Sequence, residues 1–71
     1  MAIVVKFYPK APDQSLDAAV EAAGLDIPTD TWNNIIHVPK KGEQVYLPSL
    51  GVKTVSQIIW KQDSAWAFYK A

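Results

Sequence analysis

The sequence predicts an α+β domain: a small, mostly antiparallel sheet, curled or closed into a barrel, of four to five strands with one helix at about residues 14–23. Three observations carry this. Period-two alternation of apolar residues recurs along the chain, at 2–8, 43–47 and 65–70. One window, 16–23, has apolar residues at helical spacing. The chain has no cysteine, so its core must come from apolar area or from a partner chain.

The first predicted strand spans Ala2–Tyr8, with Ile3, Val5 and Phe7 on one face and Val4, Lys6 and Tyr8 on the other. Pro9–Pro12 is expected to break it. Asp13 is then a fitting N-cap for a helix over Gln14–Ala23. Leu16, Ala19, Val20 and Ala23 form its buried stripe, while Asp17 and Glu21 face water. Gly24 sits where a left-handed residue closes a helix, with Leu25 placed to touch Val20. Residues 26–30 read as loop. Thr31–Val38 reads as loop leading into a short strand, Ile35–Val38, with a helical turn as the alternative; Pro39 disfavours helix at Val38.

The stretch from Pro39 to Tyr69 is the organising half. Lys40-Lys41-Gly42 is a turn, and Glu43–Leu47 a strand ended by Pro48. After Ser49-Leu50-Gly51 comes a long strand, Val52–Lys61, whose phase is imperfect. A bulge near Ser56 or Gln57 would repair it. Lys61–Ser64 turns the chain into the last strand, Ala65–Lys70. Trp66 and Phe68 point to one face of it, and Ala65, Ala67 and Tyr69 to the other. Trp60 and Trp66 flank the turn and are expected to pair across the strands.

Composition sets bounds. Seventy-one residues make a single domain, 1–71. With 49% hydrophobic residues and three tryptophans it is not disordered. No apolar run approaches a membrane span and no signal peptide is visible, so the expected location is the cytoplasm of the producing cell. Net charge is zero but unevenly placed. Residues 11–39 hold Asp13, Asp17, Glu21, Asp26 and Asp30 and no cation; from residue 40 lysine dominates. The distribution describes two solvated faces, or a dipolar surface for a charged partner or a second copy. Arginine is absent, which argues against specific nucleic-acid readout.

Catalytic patterns are missing. His37 is the only histidine and has no ligand or carboxylate pattern around it. Ser15, Ser49, Ser56 and Ser64 lack a nucleophile-elbow context, and Gly24, Gly42 and Gly51 are too dispersed for a phosphate loop. No enzyme activity, cofactor or metal is expected. Tyr46, Trp60, Trp66, Phe68 and Tyr69 fill a core or form a stacking platform. A small barrel cannot bury them all. With Lys70 they are the interface candidates.

The run P-x-x-G-E-x-V-x-L, then V-x-x-V, then I-I-W-x-x-D-x-x-W-x-x-Y, resembles small SH3-like-barrel proteins of bacteriophages and prophages. The matching positions are Pro39, Gly42, Glu43, Val45, Leu47, Val52, Val55, Trp60, Asp63 and Tyr69, within residues 39–71. A weaker resemblance, through Ser15-Leu16 and Gly42-x-x-Val45-x-Leu47-Pro48, is to LysM-like modules of phage tails. The resemblance implies a virion or accessory protein. The expected function is a non-catalytic interaction module that docks a protein partner or itself, through strand 65–70 or 2–8 as an exposed sheet edge. The alternative is a glycan- or nucleotide-binding module using aromatics and lysines.

Overall fold

The computed structural model describes residues 3–71. Ala2, the expected start of the first strand, lies outside them. The described elements are β1 (Ile3–Lys10), α1 (Leu16–Leu25), β2 (Asp30–Ile35), β3 (Gln44–Leu47), β4 (Gly51–Trp60) and β5 (Ser64–Lys70). They form one mixed sheet in the order β2-β1-β5-β4-β3. β1 and β5 run parallel; every other pair is antiparallel.

Alternation sorts the side chains onto two faces. On the inner face Val5, Phe7, Val45, Leu47, Val55, Ala65, Ala67 and Tyr69 are buried together. On the outer face Tyr8 and Phe68 pack beneath Ala19 and Ala23 of α1, with Leu16, Val20, Ile59 and Trp66 around them. The alanines let the helix lie close to the strands. Phe7, Phe68, Leu47, Val5 and Val55 are the largest fully buried side chains, each contributing about 1.5–3 kcal/mol by transfer from water.

The sheet is curled. β2 and β3 are the two edges, four strand spacings or about 19 Å apart in a flat sheet. Yet Trp32 and Ile35 of β2 pack in the same cluster as Val45 and Leu47 of β3. Trp32, Val45 and Tyr46 also line one 270 Å³ cavity at this seam. The result is a half-barrel with α1 on its outside.

The expected bulge in β4 is present: the register against β5 shifts between Val55 and Gln57. It turns Ile58 inward and leaves Val52 opposite Tyr46 on the outer face. The turn at 40–43 also forms as its sequence requires. The Glu43 amide donates to the Lys40 carbonyl at 3.0 Å, and Gly42 takes φ 90° at the third position of the turn.

Other expectations are corrected. β1 does not end at Tyr8 but passes through Pro9 to Lys10. The missing proline donor lies on the side of the Phe7 carbonyl, toward β2, and the β2 ladder stops at Phe7; Pro9 therefore leaves no ladder bond unmade. The helix starts later than predicted, with Ser15 as its N-cap, accepting from the Ala18 amide at 3.1 Å. Gly24 lies inside the last turn with no positive φ, and Leu25 is exposed rather than packed on Val20. The strand after the helix loop covers Asp30–Ile35, not Ile35–Val38, and is held by the Thr29 amide donating to the Phe7 carbonyl at 2.8 Å. Trp60 stands opposite Ala65 and Trp66 opposite Ile59, so the two tryptophans sit on different faces and do not pair. The two expected edge strands are β1 and β5, both interior in the sheet, so neither offers a free edge. The real edges are both blunted: β3 is four residues long, and β2 carries a bulge at Asn34, φ 59°.

Candidate functional site

The interface candidates separate by register. Phe68 and Tyr69 are core residues, 0% and 4% exposed. Trp66 is half-buried beside the helix cluster; it stacks obliquely on Tyr8 at 5.1 Å and carries the Lys61 ammonium 4.4 Å above its ring. Lys70 is exposed at the end of β5. Tyr46 and Trp60 remain on the surface, 63% and 61% exposed. Tyr46 has only Val52 opposite it, also exposed.

Trp60 is different because it borders a cleft of about 460 Å³. The inner-face residues Ile3 and Ile58, at the start of β1 and near the end of β4, form its floor. The segment from Ile36 to Lys41, between β2 and the turn at Gly42, forms the facing wall. That segment is held at both ends. Ile35 pairs with Ile3, and beyond Lys41 the Gly42 amide donates to the Val55 carbonyl at 2.8 Å. The cleft is therefore the mouth of the half-barrel, a common place for a binding site.

Its chemistry is apolar and cationic. Ile36 is 85% exposed at the rim, and Pro39 behind it is buried. Among the described residues, Lys40, Lys41 and His37 are the ionisable groups of the lining, and no carboxylate is among them. Glu43 is occupied nearby, its carboxylate accepting from the Lys40 amide.

Comparison of the chain with protein-family models, with curated proteins and with solved structures returns no match in any of the three. Among the described residues no group of three His, Cys, Asp or Glu side chains is placed to hold a metal ion, and no helix is long and apolar enough to cross a membrane.

The sequence reading named Trp60 but missed its companions. The sequence pattern places Ile36 in a strand and gives His37 no neighbours. One signal was available: Ile35 and Ile36 are adjacent, and on any strand only one of two neighbours can face the core. Leu25 and Ile27, exposed to 86% and 91%, were missed too.

Proposed function

We propose that this chain is a non-catalytic protein-interaction module whose cleft beside Trp60 takes a short apolar and acidic segment of a protein partner. One observation carries the reading: Ile36 and Trp60 stay exposed on either side of an apolar floor, in a lining with two lysines and no carboxylate. Large apolar residues converging on a concave site mark contact surfaces better than scattered ones do. Lysines at such a rim steer a negatively charged partner and set its orientation. The lining offers one imidazole, and Glu43, which shares the adjoining cavity with it, has its carboxylate engaged by the Lys40 amide, which favours binding over chemistry. The resemblance of residues 39–71 to SH3-like phage proteins agrees with a virion or accessory role.

Selection from a random peptide library on the immobilised protein, counter-selected on Trp60→Ala, tests this. Enriched peptides should combine large aliphatic residues with an adjacent Asp or Glu. No enrichment over the variant would remove the module reading. Trp60 beside Lys40 and Lys41 also fits a nucleotide or a charged glycan, with the ring for stacking and the lysines for anions. Displacement of the selected peptides by ADP or by a sulfated oligosaccharide would favour that second reading.

A further inference from the structure

We infer that the segment taken by the cleft is the Leu25–Pro28 loop of a second copy of this chain, so that copies associate head to tail. This rests on the cleft being a protein-docking site and names the partner. The segment begins at the last residue of α1 and carries two exposed aliphatic side chains, Leu25 and Ile27, on either side of the exposed carboxylate of Asp26. That is the chemistry the cleft asks for: apolar groups for Ile3, Ile58 and Trp60, and a negative charge for Lys40 and Lys41. Pro28 restricts the backbone next to Ile27, which lowers the ordering cost of docking. Lys10 and Lys70 end β1 and β5 near the same pole, but the loop and its flanks, Glu21 to Asp30, carry only carboxylates.

The loop cannot reach its own cleft. Thr29 is hydrogen-bonded to Phe7, toward the far end of β1, whereas Ile3 at the near end is part of the cleft floor. Four residues of strand separate them, about 13 Å along the sheet. Loop and cleft therefore occupy opposite ends of the half-barrel. Two different surfaces meeting in this way make a heterologous contact, which repeats from copy to copy into a ring or an open filament.

The test is complementation between two variants, read by light scattering after size exclusion. Ile27→Asp spoils the loop and keeps the cleft; Trp60→Ala spoils the cleft and keeps the loop. Both sites are exposed, and thermal melts establish that each variant folds. A Lys40→Glu/Lys41→Glu double variant is a second cleft lesion. The parent should grow in mass with concentration up to the millimolar range. Each variant alone should run as a monomer. An equimolar mixture of Ile27→Asp with either cleft variant should form a dimer and stop there, because only one competent loop and one competent cleft remain to meet. A monomeric parent at millimolar concentration, variants that still oligomerise, or a mixture that stays monomeric would each overturn the inference. If the parent is monomeric while library peptides still bind beside Trp60, the cleft is a docking site for another protein and only self-docking fails.

Discussion

The hydroxyls of Thr29 and Tyr69 lie 2.7 Å apart, forty positions distant in sequence. Tyr69 stands on the inner face of a central strand; Thr29 is the last residue before the β2 edge. This bond and the Thr29 amide's bond to Phe7 fix where the loop after α1 joins the sheet. The loop with the exposed Leu25 and Ile27 thus ends on a firm anchor.

Tyr69→Phe keeps the ring and removes one partner of that bond. The expected cost is about 0.5–1.5 kcal/mol, or a fall of several degrees in melting temperature for a domain of this size. A double-mutant cycle with Thr29→Val should show coupling, since both lesions remove the same bond. Strictly additive losses would mean that the hydroxyls do not support each other.

Phe68 and Trp60 are aromatics on adjacent strands with opposite fates. Phe68 is fully buried under α1, so Phe68→Ala should cost about 3–5 kcal/mol, comparable with the whole stability of a small domain. Trp60→Ala at the open cleft should cost less than about 1 kcal/mol. Urea titrations of the two variants compare them directly, and similar midpoints would contradict the register of β4 on β5.

Gly24 lies in the last turn of α1, exposed, with ordinary helical φ and nothing within 4 Å of the position a Cβ would take. Gly24→Ala should therefore stabilise the protein by about 0.5–1 kcal/mol. The sequence alone suggested the opposite sign, because a glycine at that distance from the helix start also fits a left-handed cap. A melting temperature lowered by the substitution would restore the cap.

How far the sequence spoke depended on how local the determining physics was. The face assignments of β1 and β5 and the Leu16-Ala19-Val20-Ala23 stripe were legible because burial on one side imposes a period. The β4 bulge was legible because Val52 falls out of phase with Val55 and Ile59, but the bulge leaves Val52 on the outer face and sends Ile59 there too, bringing Ile58 inward instead. β2 was hidden for the same reason in reverse. Trp32 and Ile35 both pack inward at a spacing of three, made possible by the bulge at Asn34, so no alternation survives to be read. Asp13 and Ser15 are both good N-caps by residue type, and Ser15 is the one whose hydroxyl accepts the Ala18 amide. The parallel pairing of β1 with β5 joins the two ends of the chain, and no local pattern encodes it. The cleft depends on that pairing and on the curl, so the gathering of Ile36, Lys40 and Trp60 was beyond a reading along the chain.

Tyr8 gives a pH signature for the packing of α1. Its phenol is pushed above the usual tyrosine value, first by burial and then by the negative charge of Asp26. The unfolded chain loses this proton at a pH of about 10, while the folded chain still holds it. Above that pH the folded state binds more protons than the unfolded one, so stability falls as pH rises until the folded phenol also ionises. Below it Tyr8 contributes no pH dependence. Tyr8→Phe removes the effect, so its stability relative to the parent should rise on going from about pH 9 to pH 11. Asp26→Asn should weaken the dependence without abolishing it, because burial is the larger cause. Urea midpoints for parent and variants across that range measure the difference, and parallel parent and Tyr8→Phe curves would show that the phenol is not perturbed by folding.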